Sequence, residues 1–309
     1  MEEASLISKR LLGAAFSTTL AAIAFALPST AAAATKIYSL RTASTQSIAA
    51  LSPGSVGKGI VYSDGCTVQR VDVVPVTKTT TAPTVVVGAA CNGTHAVRTT
   101  PATNLTAALG LDSLVAGTFN DDGLVIADKG RGFVDRYDAA LGTLVTIAGN
   151  NGPNCATTAP PVDDSLAKDA TLCNVSGLAT HPSDASKFLL TDVAGAGASQ
   201  GRGRVYLVSG TDRNTATIKT VAGSCNNAAA TDALKLCITA PTDLFAGKGV
   251  VVFIDANTIA LTTDSGLKTV SLTDGSVATV TTDGVTGLAR GFSGDLYFST
   301  TCQVKRYVI

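Results

Sequence analysis

Four aspartates recur along the chain, each directly after a short apolar run: Asp64, Asp128, Asp192 and Asp264. Carboxylate oxygens are the ligands that calcium prefers, so four of them near the mouth of a central channel would hold a cation. An aspartate that ends a strand before a turn also accepts hydrogen bonds from the backbone of that turn, and a repeat multiplies such a residue. We favour the turn role and keep calcium as the alternative; no other cofactor is predicted.

The remaining polar residues offer little acid–base chemistry. His95 and His181 are the only two histidines, and each lies in a predicted loop without an evident partner, so we interpret both as loop residues. Arginines recur one strand after the aspartates. We interpret them as surface residues near those aspartates rather than as an anion site: Arg70, Arg136, Arg204 and Arg306.

The chain contains seven cysteines, and none of them lies in a CxxC pair, which argues against a zinc site. We predict disulfides, because an export signal precedes them. The first two pairs, Cys155–Cys173 and Cys225–Cys237, each close a short insert, and each would contribute about 3 kcal/mol in the chain-entropy model. Cys66–Cys91 is the favoured third pair, and Cys66–Cys302 is its rival; one thiol is left over.

The first 34 residues read as a signal peptide. Lys9 and Arg10 precede an apolar run over residues 11–27, Pro28 ends it, and small residues at 31–34 offer a cleavage site. A retained signal anchor is the alternative. We therefore expect a secreted, extracellular or periplasmic protein, with residues 35–309 as a single domain and no membrane span after signal removal.

Three glycosylation sequons follow from the same expectation of export. They begin at Asn92, Asn104 and Asn174, and they are meaningful in a eukaryotic secretory protein. They carry no meaning in a bacterial one.

Charge and composition narrow the class of protein. Lys and Arg total 23 and Asp and Glu total 23, so no basic excess points to nucleic acid or to an anionic membrane. The chain lacks Trp, has one Met and is rich in Thr, Val, Ala and Gly. Such a composition predicts strands and turns, and hence an all-β protein.

One strand motif recurs five times: GIVYSD (59–64), GLVIAD (123–128), KFLLTD (187–192), IALTTD (259–264) and DLYFST (295–300). Each copy is followed by a strand with a basic residue and, in four of the units, by a further strand that usually ends in Gly. Weaker first strands precede the copies, at residues 48–51, 113–116, 176–179, 242–245 and 286–289. Four short strands per unit describe the blades of a β-propeller. Five blades are counted, and residues 91–111 are the place for a sixth.

These motifs resemble those of NHL-repeat propellers. The matching pieces are VQR (68–70), LVIAD (124–128), SGLATHPSD (176–184) and TVAG (220–223). The resemblance covers most of residues 45–309 and implies a propeller, which in that family commonly has six blades.

The last unit has three strands, so residues 36–40 (KIYSL) are predicted to supply its fourth and to close the ring. Closure pairs both sheet edges that an open ring would leave exposed.

Alternating strand direction places the second-to-third turns and the fourth-to-first connections on one face, which we call the connection face. The cysteines and the sequons are predicted to lie there. We therefore expect a non-enzymatic binding or interaction module for an extracytoplasmic protein or glycan, because loops on a rigid scaffold carry such functions.

The enzymatic alternative is a hydrolase or lyase with a central calcium, resembling the propeller lactonases. Those enzymes rely on Glu, His, Asn and Asp ligands, whereas Glu2 and Glu3 are the only glutamates here and both lie in the signal segment. A structural or envelope-associated protein is the third possibility.

Overall fold

The computed structural model describes the larger part of the chain after residue 46. The described residues are 47–50, 59–63, 67–74, 79–80, 84–88, 105–106, 114–118, 123–128, 132–138, 141–150, 161–172, 175–192, 203–223, 231–236, 238, 251–263, 265–285, 287–290, 294–300 and 302–309. They are almost entirely strands and turns, as the composition predicts. Within these ranges no helix has the length and hydropathy needed to cross a bilayer.

The strands form five antiparallel sheets in chain order, which we number as blades 1 to 5. Blade 1 contains β1 (Ser47–Ala50), β2 (Gly59–Ser63), β3 (Thr67–Val74), β4 (Thr79–Thr80) and β5 (Thr84–Gly88). Blade 2 contains the outer strand β6 (Leu105–Thr106), then β7 (Leu114–Thr118), β8 (Gly123–Asp128), β9 (Phe133–Asp138) and β10 (Thr143–Ala148). Blade 3 contains the outer strand β11 (Ser165–Leu166), then β12 (Val175–Thr180), β13 (Lys187–Asp192), β14 (Arg204–Ser209) and β15 (Thr217–Ala222). Blade 4 contains β16 (Val251–Phe253), β17 (Thr258–Thr263), β18 (Gly266–Ser271) and β19 (Val277–Thr281). Blade 5 contains β20 (Gly287–Arg290), β21 (Leu296–Ser299) and β22 (Val304–Tyr307).

Successive residues of one strand enter hydrophobic cores on opposite sides of their blade. In β13, Leu190 belongs to the core shared with blade 2, and Leu189 belongs to the core shared with blade 4. In β17, Leu261 belongs to the core shared with blade 3, and Ala260 belongs to the core shared with blade 5. Sheets that bury both faces against their two neighbours in chain order form a propeller, so the predicted fold is confirmed.

The first strand of each blade lies on the axis side. Contacts run from β1 to β7, from β7 to β12, from β12 to β16 and from β16 to β20. The four-stranded order then proceeds outward within each of blades 2 to 4. The turn geometry that defines the connection face therefore holds in the described blades.

Two predicted elements differ in place. The first strand of blade 4 is Val251–Phe253, which pairs with residues 259–261, and not residues 242–245, which lie outside the described residues. Val251 and Phe253 are buried and complete the core towards blade 3, which explains why this apolar run takes the position. Within residues 91–111, β6 pairs with β10 and so extends blade 2 rather than beginning a sheet of its own.

The connection from blade 2 to blade 3 packs into the seam between the two blades. After β11 the chain forms the 3₁₀ helix Ala167–Asp169. The first residue of this helix accepts a hydrogen bond from the Gly149 N–H of blade 2 (3.0 Å) and donates one to the Ala216 carbonyl of blade 3 (2.8 Å). Leu172 then enters the core between the blades. This connection therefore binds its two blades together.

The connection from blade 3 to blade 4 repeats this structure. The 3₁₀ helix Ala233–Lys235 accepts from the Gly223 N–H of blade 3 (2.9 Å) and donates to the Gly275 carbonyl of blade 4 (3.0 Å). Leu236 and Ile238 are fully buried in the core that blades 3 and 4 share. The two long connections are thus equivalent seam elements.

The glycines that end the Ala-Gly strands are required by close backbone approach. Gly149 has φ +91° and Gly223 has φ +92°, a region that L side chains rarely adopt. A Cβ at Gly149 would overlap the Gly132 carbonyl oxygen, and one at Gly223 would overlap the Gly203 carbonyl oxygen. The recurrent Gly therefore lets the end of the fourth strand touch the second-to-third turn.

We expect Gly149→Ala to lower the free energy of unfolding by roughly 2–4 kcal/mol, since it adds a backbone overlap to the left-handed penalty. Gly142→Ala is the matched control: its φ is +64° and no atom lies within 4 Å of the added Cβ. It should cost only about 1 kcal/mol. Urea unfolding of both variants checks the difference, and equal losses would contradict the close approach.

Candidate functional site

The structure describes the side chain of one of the four recurrent aspartates. Asp192 ends β13 on the connection face, is 6% exposed, and lies opposite Arg204 in the strand register. Asp128 ends β8 in the same way, and only its backbone is described. Asp64 and Asp264 lie outside the described residues. Their proposed meeting around the channel therefore stays a prediction.

The second strands of blades 3 and 4 end in different phase. In blade 3 the residue two before Asp192, Leu190, faces the preceding blade. In blade 4 the residue with that orientation is Leu261, so Thr263 takes the position of Asp192, and Asp264 follows one residue later. Thr263 donates its hydroxyl to the Gly266 carbonyl (2.9 Å), which is a turn role. The place of the Asp264 side chain relative to Asp192 stays a prediction, because Asp264 lies outside the described residues.

The axis of the ring is built from apolar and small residues. The first strands read SIAA, LVAGT, VSGLAT, VVF and GLAR, so Arg290 is their only charged residue. Across the described ranges, no group of three or more His, Cys, Asp or Glu residues is arranged to hold a metal ion. The described first strands thus place no carboxylate or imidazole at the axis.

The recurrent arginines do not form one set. Arg70, Arg136 and Arg306 occupy the same register in the third strand, whereas Arg204 lies three places away, opposite the strand end. Arg306 contacts a different aspartate from the predicted ones. Its Nε donates to Oδ2 of Asp295 (2.8 Å), and this buried carboxylate raises the pKa of Arg306.

Blade 2 buries a carboxylate that the sequence pattern did not single out. Asp135 in β9 is fully buried and accepts a hydrogen bond from the Thr146 hydroxyl in β10 (2.6 Å). It lies on the opposite side of the sheet from Val134, which faces blade 3. The only indication of this buried carboxylate in the sequence is a polar residue at position 135 of the predicted strand.

Aspartates cap turns on the face opposite to the connection face. Their carboxylates accept backbone N–H groups two residues on: Asp184 from Ser186 (3.0 Å), Asp212 from Asn214 (2.8 Å), Asp255 from Asn257 (2.7 Å) and Asp274 from Ser276 (3.0 Å). The Asp-x-Ser/Asn spacing in the sequence was the signal for them. The turn chemistry predicted for the strand-end aspartates is therefore seen at these turns.

Hydroxyl contacts lower the pKa of two of these capping carboxyls. The Ser271 side chain and then the N–H and side chain of Ser276 lower the pKa of Asp274 to about 2. The Ser186 hydroxyl and Lys187 hold the pKa of Asp184 well below its usual range. Both groups are therefore ionised wherever the protein is folded at ordinary pH.

His181 joins blades 3 and 4 on this opposite face. Its Nδ1 accepts from the Ser183 N–H (3.3 Å), which leaves the proton on Nε2 to donate to the Ala256 carbonyl (3.1 Å). Its ring meets Phe253 edge-on, with centroids 4.9 Å apart. His181 is thus a turn residue, as predicted, and both of its ring nitrogens form hydrogen bonds.

The predicted disulfides and glycosylation sites await a test. Cys66, Cys91, Cys155, Cys173, Cys225 and Cys237 lie outside the described residues, and so do Asn92, Asn104, Asn174 and His95. Cys302 is exposed in the second-to-third turn of blade 5. Its position on the connection face agrees with the predicted placement of this cysteine.

No protein-family model matches the chain, and no curated protein matches its sequence. Solved propeller structures resemble it. A gluconolactonase from Xanthomonas campestris is 14% identical with a TM-score of 0.45, over 81% of this chain and 69% of its own. The Dos1 propeller is 11% identical (TM-score 0.46), over 87% of this chain and 58% of its own, so the match spans less than two thirds of that structure. A virginiamycin B lyase from Staphylococcus aureus is 9% identical (0.43), over 86% and 70%. These similarities concern the fold.

Thr146→Val should lower the free energy of unfolding by about 2 kcal/mol, because it removes a hydrogen bond to a fully buried carboxylate. Thr143→Val is the control, since Thr143 is half-buried on the same strand. It should change stability by less than about 0.5 kcal/mol. Thermal and urea unfolding provide the measurement; a neutral Thr146→Val would contradict the contact.

Asp274 should titrate with a midpoint near pH 2 in a carboxyl-resolved NMR titration. Because its folded pKa lies below the unfolded value, its stabilising contribution is complete above about pH 4 and is lost as the pH falls through about 2. Ser271→Ala should raise the midpoint, since that hydroxyl is the largest cause of the shift. Ser265→Ala, in another turn, should leave it unchanged.

Proposed function

We propose that this protein is an exported, non-enzymatic binding module that holds an extracytoplasmic protein or glycan on its connection face. Two features support the proposal: the composition of the axis and the rigidity of the seams.

The axis carries the main argument. Enzymes place acids, bases or metal ligands in a cleft where they converge on the reacting atoms. The five described first strands contribute instead aliphatic residues, Gly, Ser, Thr and one Phe, with Arg290 as their single charged residue. Such a surface supports packing and partner contact better than proton transfer or metal catalysis.

The seams give the connection face a fixed shape. The two 3₁₀ helices hydrogen-bond to the blades on both sides, and Leu172 and Ile238 fill the cores beneath them. Turns held in this way lose little conformational entropy when a partner binds. This rigidity favours a recognition surface built from several blades.

The alternative is a calcium-dependent hydrolase or lyase, and the position of Asp192 favours it. Its carboxylate is almost completely buried at a strand end on the connection face. An ion held there would draw further oxygen ligands from the other strand ends, with Asp128 as the first candidate.

Metal analysis separates the two functions. The purified protein, dialysed against metal-free buffer, should contain less than about 0.1 calcium per chain, and added calcium should leave its melting temperature unchanged. Stoichiometric calcium that disappears in the Asp128→Asn, Asp192→Asn double variant would replace the binding-module proposal with the enzymatic one.

Matched surface variants test the face. Gln303→Arg places a bulky charge on the connection face, in the exposed second-to-third turn of blade 5, and Ser183→Arg places the same charge on the opposite face. Against an array of glycans and secreted proteins, binding should weaken at least tenfold for Gln303→Arg only. Equal binding by both variants would contradict the connection face as the docking surface.

A further inference from the structure

Three cationic side chains lie along the seam between blades 2 and 3. Arg213 extends from the turn that joins β14 to β15, and its Nη1 donates to the Thr146 carbonyl across the seam (3.0 Å). Lys168 lies in the 3₁₀ helix of this seam, and its Nζ donates to Oδ1 of Asn214, the residue after Arg213 (3.3 Å). Arg136 lies in β9, opposite the residue that precedes Thr146. We call Arg136, Lys168 and Arg213 the seam cations.

Arg136 points into the seam with part of its guanidinium unbonded. It pairs with Val125, which belongs to the core that blades 2 and 3 share, so both side chains lie on the side of the sheet that faces blade 3. The Nε of Arg136 is buried and has no hydrogen-bond partner, and no other buried side-chain nitrogen or oxygen in the described ranges is in this condition. A buried donor without a partner costs free energy, which a bound anion would recover.

The neighbouring carboxylates do not neutralise the seam cations. Within the described ranges, the four salt bridges all lie elsewhere, in blades 3, 4 and 5. Asp212 caps its own turn by accepting the Asn214 N–H (2.8 Å). Asp169 is exposed, and Asp135 is buried on the opposite side of blade 2 from Arg136. Three positive charges therefore share one seam without a carboxylate at ion-pair distance.

The equivalent seam between blades 3 and 4 has leucine at all three places. Equivalent positions follow from the strand register, from the order within the 3₁₀ helix, and from the turn carbonyl that accepts a bond from that helix. The leucines replace the seam cations as follows: Leu207 for Arg136, Leu234 for Lys168 and Leu272 for Arg213. Leu207 and Leu272 pack against the core that blades 3 and 4 share. The seam can therefore be built without cations, and the three charges of the other seam indicate a role beyond folding.

We propose that the seam cations bind a phosphate or sulfate group. A guanidinium donates two parallel hydrogen bonds to the oxygens of such a group, and an ammonium adds a compact third charge. A phosphate or sulfate group offers at least three acceptor oxygens, enough for all three side chains, whereas a carboxylate offers two. This assignment differs, for Arg136, from the sequence-based interpretation as a surface residue.

The proposed anion site is separate from the connection face. Arg213 lies in a turn between the third and fourth strands of its blade, and such turns are on the opposite face. The anion site is therefore independent of the proposed function, and its test needs no partner of the connection face.

Melting temperatures in different anions test the site. In about 20 mM inorganic phosphate the purified protein should melt about 3 °C or more above its melting temperature in acetate of equal ionic strength, because an anion that binds only the folded chain stabilises it. Arg136→Leu and Arg213→Leu, which introduce the residues of the equivalent seam, should each reduce this difference to less than about 1 °C.

Lys219→Leu is the matched control. It also replaces one cation by leucine in this part of the ring, but Lys219 is exposed on the side of blade 3 that faces blade 4. It should keep the full difference between phosphate and acetate. A phosphate effect that survives in both arginine variants, or that Lys219→Leu also removes, would overturn the proposal.

Isothermal titration calorimetry gives the affinity and the source of the anion. Inorganic phosphate or inorganic sulfate should bind with a Kd below about 1 mM, and each arginine variant should weaken binding about tenfold or more, since it loses charge-assisted hydrogen bonds. Glucose 6-phosphate that binds more tightly than inorganic phosphate would support a phosphate group carried by a larger ligand, and equal binding would support the free anion. No binding of inorganic phosphate or sulfate would overturn the proposal.

A third variant keeps the test open if the arginine variants do not fold. Lys168→Leu changes a half-buried residue of the 3₁₀ helix, and the equivalent Leu234 is 50% exposed, so this variant should fold. It should weaken phosphate binding about fivefold or more. Unchanged binding in Lys168→Leu would then overturn the proposal.

Discussion

The structure depends on the burial of both faces of the inner sheets, blades 3 and 4, against the blades on either side. A strand in such a sheet cannot alternate apolar and polar residues, because each side chain enters one of two cores. This constraint explains continuous apolar runs such as those of β8 and β13, and it explains the low content of charge. Buried polar groups then need partners inside the sheet, as Asp135 finds in Thr146.

Backbone hydrogen bonds stabilise the seams between blades, and side-chain packing stabilises the cores. The Ala-Gly ends, the second-to-third turns and the 3₁₀ helices meet through carbonyl and amide groups, and only glycine leaves room for that approach. The seam between blades 4 and 5 has a five-residue connection and relies on its side-chain core instead. Within the described residues, the seams held by backbone hydrogen bonds are those between blades 2 and 3 and between blades 3 and 4. These are the places where a fixed recognition surface is best supported.

The sequence revealed the β-propeller and the places of most strands because each second strand is a dense apolar run with a sharp end. The sequence pattern misplaced the first strand of blade 4, because residues 242–245 and 251–253 both suit a short strand. Only the pairing of residues 251–253 with residues 259–261 identifies the strand. A motif shows that a strand ends, but the side to which each residue points depends on the neighbouring blades. The two 3₁₀ helices of the seams depend on hydrogen bonds between residues that are distant in the sequence, and no local sequence pattern predicts such bonds.

The same constraint bears on function. A ring that buries both faces of its blades has two kinds of surface left for chemistry, the axis and the turns, and here the axis strands carry no carboxylate or imidazole. Under the proposed binding function, recognition belongs to the turns, whose geometry is only as fixed as the sheets beneath them.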